Sequence, residues 1–276
     1  MTSKEELGVS SEIARGDRFE FGKNWSRFVS QLNEDKILAA EGSLKDMLGV
    51  ETLAGKRLLD IGSGSGLFSL AARRLGAQVR SFDYDLESVR CTAELRARYF
   101  PSDQDWIVEQ GSALDLDYMK ALGNFDVVYS WGVLHHTGAM WQALDNAIIP
   151  TQIGSTLCVA IYNDQMWLSK YWRMVKRTYN SNPILRLLII LGHLGYPLGA
   201  SLIVRTITGR LKLPRGMSYW YDYLDWLGGY PFEVAKPENI FSFFRDRGFT
   251  LMQLKTCGGR QGCNEFVFKR GATGQT

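Results

Sequence analysis

Residues 58–66 read Leu-Leu-Asp-Ile-Gly-Ser-Gly-Ser-Gly, an apolar run with one acid, followed by glycine at every second position. A strand that ends in such a loop and leads into a helix is typical of doubly wound α/β sheets. Glycine has no Cβ, so Gly62 and Gly64 let the backbone turn sharply and approach a ligand closely. The free N–H groups of a helix beginning near Leu67 face the same point. The stretch therefore predicts a nucleoside-binding site at the carboxyl end of a strand.

The details of the loop separate two kinds of nucleoside site. The dinucleotide fingerprint G-x-G-x-x-G requires glycine at position 67, where this chain has Leu67. The pattern here is instead D-x-G-x-G-x-G, beginning at Asp60. Asp83, at the end of the next predicted strand, lies 21 residues after Gly62. A carboxylate at that place accepts hydrogen bonds from ribose hydroxyls in nucleoside-binding α/β folds.

The rest of the chain alternates short apolar runs with helical periodicity, which predicts parallel βαβ units. Only eight residues separate the last two predicted strands, too few for a helical crossover, so we expect that pair to be antiparallel. Strands are predicted at 57–61, 78–82, 106–109, 125–130, 156–162, 250–256 and 265–269, and helices at 67–75, at 86–99, around 144–148 and from 240.

The predicted organisation has five parts. They are an N-terminal helical cap (1–44), a nucleoside-binding core (45–163), a helical insertion (164–235), a C-terminal helix and strands that complete the sheet (236–270), and a disordered tail (271–276). Within the cap, Phe21, Trp25 and Phe28 have helical spacing, and we expect Gly22 and Asn24 to interrupt that helix.

In the order and spacing of these motifs the chain resembles the class I S-adenosylmethionine (SAM)-dependent methyltransferases. The stretch Val-Leu-His-His at 133–136 resembles the group that includes the ubiquinone-pathway O-methyltransferases. The resemblance implies a Rossmann-like sheet, mostly parallel with the last strand antiparallel, and SAM as the cofactor. It implies a cofactor site formed by Asp60, Gly62, Ser63, Gly64, Gly66, Asp83, Tyr84, Ser112, Ala113, Trp131 and Trp25.

The chain departs from the family pattern at two points. Ser112 stands where the family usually has an acidic residue that receives the adenine amino group. Some of the ubiquinone-pathway enzymes bind a divalent metal through acidic residues, but Gly132 and His135 occupy those positions here. Imidazoles without carboxylates form a poor site for a hard cation such as Mg²⁺, so we predict no metal.

The candidate catalytic residues come directly after the fourth predicted strand, next to the predicted cofactor site. An acceptor hydroxyl must lose a proton, and His136, with His135 second, is the predicted general base; the alternative is that these histidines shape the loop. The predicted acceptor is a small molecule, methylated at oxygen, with nitrogen and carbon left open. The predicted acceptor contacts are Tyr162, Asn163, Tyr219, Asp222 and Tyr223.

Charge is unevenly distributed in a chain of net charge +3. Residues 165–216 contain no acidic residue, and residues 187–204 contain no charged residue. A single crossing would put strands of one sheet on opposite sides of a bilayer, so we interpret this segment as a pocket lid or a membrane-surface element. The segment 165–216 has nine basic residues: Lys170, Arg173, Lys176, Arg177, Arg186, Arg205, Arg210, Lys212 and Arg215.

These features predict a lipophilic or anionic small-molecule acceptor, with peripheral contact to an anionic membrane surface as a further expectation and no nucleic-acid partner. The four scattered cysteines indicate a cytoplasmic protein. A SAM-binding scaffold or sensor without turnover is the main alternative, and a nicotinamide oxidoreductase is disfavoured by Leu67. The sequence does not determine the oligomeric state.

Overall fold

A computed structural model describes residues 4–193 and 219–272 of the protein. The strands are β1 (Arg57–Ile61), β2 (Gln78–Asp83), β3 (Trp106–Gln110), β4 (Phe125–Trp131), β5 (Thr151–Tyr162), β6 (Phe249–Lys255) and β7 (Cys263–Arg270). The helices are α1 (Lys4–Arg15), α2 (Phe21–Ser30), α3 (Glu34–Leu48), α4 (Leu67–Arg74), α5 (Leu86–Tyr99), α6 (Leu116–Ala121), α7 (Met140–Ile148), α8 (Trp167–Ser181), α9 (Pro183–His193), α10 (Tyr219–Gly228) and α11 (Pro237–Arg245).

The strands form one sheet in the order β3-β2-β1-β4-β5-β7-β6. Strands β1 to β5 pair in parallel, whereas β7 is antiparallel to both β5 and β6. The predicted doubly wound sheet is therefore confirmed, with one refinement: the antiparallel strand lies between β5 and β6 and not at the edge. Chain order reverses between β1 and β4, the position at which open α/β sheets bind ligands.

Side-chain alternation along the strands divides the core into two layers. Leu58 belongs to the apolar cluster on one face of the sheet, with Leu70 and Trp106, and its neighbour Leu59 belongs to the cluster on the other face, with Phe244. Successive strand residues point to opposite faces, so helices must cover both sides of the sheet. The carboxyl ends of β1, β2 and β4 are therefore held between two packed layers.

The N-terminal part differs from the prediction in two respects. Helix α2 runs without a break through Gly22 and Asn24, both of which are buried. An added Cβ at Gly22 would lie 2.4 Å from the Cβ of Glu87, so glycine at this position allows close packing on α5. Helix α3 also runs across the predicted boundary at residue 44, continues to Leu48 and ends at the left-handed Gly49.

The insertion (164–235) contributes α8, α9 and α10, which share a separate apolar cluster containing Trp172, Tyr179 and Leu227. The apolar segment 187–204 begins in α9, but its part after His193 lies outside the described residues. The same holds for Arg205, Arg210, Lys212, Arg215 and the tail from 273. Within residues 4–193 and 219–272, no helix is long and apolar enough to cross a membrane.

Candidate functional site

A cavity of about 790 Å³ opens at the carboxyl ends of β1, β2 and β4. Ten of the eleven predicted cofactor residues line it; the exception is Gly66. Gly66 instead caps α4 in a left-handed conformation (φ +80°), with the backbone of Thr92 against it. The cavity has the size of a small-molecule site. The sequence therefore identified the residues that form this end of the cavity.

The glycine loop is held in place by side chains packed against it. Gly62 has φ +78°, and a Cβ there would lie 2.3 Å from the side chain of Val133. A Cβ on Gly64 would lie 3.1 Å from Trp25 Nε1, so the indole packs directly on the loop. Trp25 thus forms one wall of the cavity.

Asp83 and the loop are joined by hydrogen bonds. One carboxylate oxygen of Asp83 accepts from the N–H of Gly64 and the other from the N–H of Asp85, each at 2.9 Å. Each oxygen keeps a further lone pair for hydroxyl donors of a ligand. Burial raises the pKa of Asp83 to about 6, and the two backbone donors oppose that rise.

Asp60 is a second buried acid in the same wall. Its side chain accepts a hydrogen bond from the Ser69 hydroxyl. Burial raises the pKa of Asp60 to about 7, and the charge of Asp83 contributes to the rise. Two desolvated carboxyl groups at one rim favour a ligand that brings positive charge. A sulfonium nucleoside such as SAM meets this requirement, so these residues fit that cofactor.

The two predicted catalytic histidines occupy different environments. His136 lines the cavity, and its Nδ1 lies 2.6 Å from the carbonyl oxygen of Pro231. A carbonyl only accepts, so Nδ1 carries the proton and Nε2 keeps its lone pair. His135 is completely buried behind His136, with its ring 4.0 Å from that of Tyr162, and does not line the cavity. Its position is that of a packing residue.

Both histidines are held neutral. Burial is the main cause that lowers the pKa of His136 to about 3, and the charges of Lys176 and Arg18 lower it further. Burial also keeps the pKa of His135 well below its ordinary value. Lys176 is fully buried, donates to the backbone oxygen of Trp226, and lies 4.4 Å from the indole centroid of that residue.

Arg18 is a cavity residue that the sequence analysis missed. Its Nε donates to Glu12 at 2.6 Å, and a second guanidinium nitrogen donates to the backbone oxygen of His136 at 3.2 Å. The guanidinium also lies 4.8 Å from the ring centroid of Tyr84. Arg18 therefore links the cofactor wall to the histidine wall. The only sequence signal was an arginine beside two phenylalanines in an otherwise polar segment.

The predicted acceptor contacts divide into three groups. Tyr162 lines the cavity. Asn163 does not; its side chain accepts from Asn264 on β7 at 3.0 Å and donates to the backbone oxygen of Arg260 in the β6–β7 loop at 3.5 Å. Tyr223 is buried within the insertion and donates to the backbone oxygen of Ile190, so its hydroxyl serves packing. Tyr219 and Asp222 lie on α10, and their side chains are outside the described residues.

In the part of the chain that the structure describes, no group of three or more His, Cys, Asp or Glu side chains is arranged to hold a metal ion. The four cysteines are free thiols.

Part of the chain is similar in sequence to known methyltransferases. Residues 59–148 match the family model of a methyltransferase domain. The chain is 28% identical over 131 residues to the ribosomal protein L11 methyltransferase of Helicobacter hepaticus, covering 43% of this chain and 40% of the relative. It is 29% identical over 128 residues to a ubiquinone biosynthesis O-methyltransferase of Methylobacterium sp., covering 44% and 47% respectively. The matches thus span less than half the length of these curated relatives.

Among solved structures, a similar fold is that of magnesium protoporphyrin IX methyltransferase from Synechocystis PCC 6803, determined with bound S-adenosylhomocysteine (SAH). The TM-score is 0.56 at 14% identity, covering 95% of this chain and all of that one. At this identity the likeness shows the fold alone.

Proposed function

Because this chain belongs to the class I SAM-dependent methyltransferase family, we propose that it methylates an oxygen of a lipophilic or anionic small molecule. The observation that supports the proposal is a single cavity lined by both kinds of residue that the reaction requires. Asp83 and the glycine loop form its nucleoside end, and His136 presents a neutral imidazole to the same space.

When bound, SAM supplies a methyl group activated by its sulfonium. The nucleoside end of the site would hold it through Asp83, Asp60 and the backbone of the loop at Gly62 and Gly64. Tyr84, Ser112, Ala113 and Trp131 line the same space and complete the proposed cofactor site. The protein's contribution is to position the reactants and to exclude water.

His136 is the proposed general base. Its Nδ1–H is occupied by the Pro231 carbonyl, so Nε2 is the atom that accepts the proton from an acceptor hydroxyl. With a pKa of about 3, this imidazole is a weak base. A weak base suits an acceptor hydroxyl that ionises readily, such as that of a phenol or an enol.

The proposed acceptor is apolar as well as acidic. The rings of Phe19, Phe21, Tyr162 and Trp226 line the cavity. Such a wall favours a ring-bearing or hydrocarbon-bearing molecule, while the charge of Arg18, which lines the same cavity, favours an anion. Since Trp226 belongs to the insertion, we propose that residues 164–235 act as the lid of the acceptor end. The free thiols fit a reaction in the cytoplasm.

The proposal is tested with SAM labelled in its methyl group and a cell extract separated into small-molecule and protein fractions. We expect label in the small-molecule fraction, sensitive to competition by added phenols, and formed about a hundredfold or more slowly by the His136→Asn variant. Label in the protein fraction alone would instead indicate a protein acceptor. Tight SAM binding without labelled product would leave a SAM-binding scaffold, and binding of NADH in preference to SAH would indicate an oxidoreductase.

A further inference from the structure

Helices α8 and α9 expose an unusually apolar surface. On α8, Trp167 is 72% exposed and Met174 61%, with Tyr171 between them on the same helical face. On α9 no described residue is buried, and Ile184, Leu187 and Leu188 are each at least 60% exposed. We call these side chains, with Leu191, the α8–α9 surface. Large exposed apolar side chains gathered on two adjacent helices indicate an interaction site.

The folded insertion holds these side chains outward. Helix α8 buries Trp172, Val175 and Tyr179 in the cluster shared with α10. The Tyr171 hydroxyl lies 2.8 Å from Nε2 of His193, which fastens α9 to α8. The inward faces are thus already occupied by packing, and the outward apolar residues remain for a partner.

The charged side chains of α8 and α9 all have one sign. Lys170, Arg173, Arg177 and Arg186 are exposed on the two helices, and the chain has no acidic residue from 165 to 216. Arg173 and Arg186 also donate to the backbone oxygens of Phe232 and Tyr179. Lys170 and Arg177 each come three residues after an apolar residue of the exposed face and so flank that face of α8. Exposed tryptophan and leucine with interspersed lysine and arginine is the pattern of helices that lie in a membrane interface.

We propose that the α8–α9 surface binds an anionic lipid bilayer, with both helices lying in the plane of the interface. A second copy of the chain is a poorer occupant. A two-fold contact would place this cationic face against itself with no acidic residue of either segment to compensate. An anionic bilayer supplies both the apolar region and the opposite charge.

Such binding would place the insertion between lipid and cavity. Trp226, which lines the cavity, packs on the buried face of α8 with its ring 5.4 Å from Trp172. A lipophilic acceptor could then reach the cavity from the bilayer without crossing water. This delivery rests on the proposed function, whereas vesicle binding does not.

The test is co-sedimentation of the full-length protein with phosphatidylcholine vesicles that contain or lack phosphatidylglycerol. We expect binding only to the anionic vesicles, weakened by added salt. Replacing Lys170 and Arg177 by Gln should weaken binding about fivefold for each charge removed. Trp167→Ser with Leu187→Ser should weaken it at least tenfold, since both side chains would leave the apolar phase.

The matched control replaces Ile153 and Met252 by Ser, because these side chains are equally exposed but lie on β5 and β6. It should bind vesicles like the unmodified protein, and all variants should keep the affinity for SAH, which reports a folded site. Absence of vesicle binding, or equal loss in the control, would overturn the proposal. The proposal would also be overturned if the unmodified protein sedimented as a dimer and the Trp167→Ser, Leu187→Ser variant as a monomer. Because no turnover is measured, none of these outcomes bears on methyl transfer.

Discussion

Nδ1 of His136 and the backbone oxygen of Pro231 lie 2.6 Å apart, and this bond determines which nitrogen faces the cavity. Replacing His136 by Asn keeps an amide N–H near the position of Nδ1 but removes the Nε2 lone pair. We expect kcat to fall about a hundredfold or more, the usual scale for loss of a general base, with SAH affinity and the free energy of unfolding nearly unchanged.

The control for that variant is His193→Asn, since His193 contacts Tyr171 on the insertion and does not line the cavity. It should keep normal turnover. If the His136→Asn enzyme also turns over normally, the imidazole of His136 serves structure only.

The raised pKa of Asp83 predicts a pH dependence of cofactor binding. The pKa is about 6 in the folded protein, so the carboxylate gains a proton, and loses its charge, as the pH falls through that value. SAM is cationic, and the contribution of Asp83 to its affinity should therefore decrease below pH 6, by up to about tenfold per pH unit. Calorimetric titration with SAM at pH values from 5 to 8 measures this affinity.

The comparison is with Asp83→Asn, which cannot titrate. Its affinity for SAM should be lower at pH 8 and should vary less across the range. If the affinity of the unmodified protein for SAM did not change between pH 5 and 8, the charge of Asp83 would have no part in cofactor binding.

Replacing Gly62 by Ala tests how closely the glycine loop packs against Val133. Alanine there would have an unfavourable φ and a Cβ 2.3 Å from Val133, whereas Gly123 has a similar φ (+75°) and no atom within 4 Å of the added Cβ. We expect Gly123→Ala to cost about 1–2 kcal/mol of unfolding free energy from the φ alone. Gly62→Ala should cost about 1–3 kcal/mol more from overpacking and should abolish SAH binding.

Urea unfolding and SAH titration of both variants provide the measurement. Equal destabilisation of the two proteins would mean that Val133 moves aside at no cost, and the close contact would then have no part in shaping the site.

Arg18 is predicted to be a positioning residue. Arg18→Ala removes the bonds to Glu12 and to the His136 backbone, and we expect kcat to fall about tenfold with a smaller change in KM for SAM. Because the charge of Arg18 lowers the pKa of both Asp83 and His136, its removal should raise the pH at which SAM affinity is lost.

Arg15→Ala is the control, since that side chain is 62% exposed and pairs only with the exposed Asp17 in the described structure. Arg15→Ala should leave the pH dependence of SAM affinity unchanged. Arg18→Lys keeps the charge without the forked geometry, so it should restore the pH profile but not the full kcat. A profile that does not shift in Arg18→Ala would reject the electrostatic role.

Local sequence predicted those parts of the molecule that depend on near neighbours in the chain. The turn at Gly62 and Gly64 and the strand end at Asp83 are set by residue types within a few positions, and they were recognised. The continuity of α2 through Gly22 was missed, because the reason for glycine there is the approach of α5.

The remaining differences have the same origin. Arg18, Lys176 and Tyr223 owe their roles to contacts with residues far away in sequence, at His136, Trp226 and Ile190. An alternation pattern also does not reveal that β7 enters between β5 and β6, since that order depends on which of the two strands pairs with β5.

That placement of β7 has a consequence for biosynthesis. Until residues 263–270 leave the ribosome, β5 has an open edge of unpaired peptide groups, and β6, though made earlier, has no strand to join. An open edge of this kind recruits other chains. A nascent chain that stalls before Cys263 would therefore expose the unpaired edge of β5 and be prone to aggregate. Pairing of β7 with β5 and β6 removes that edge.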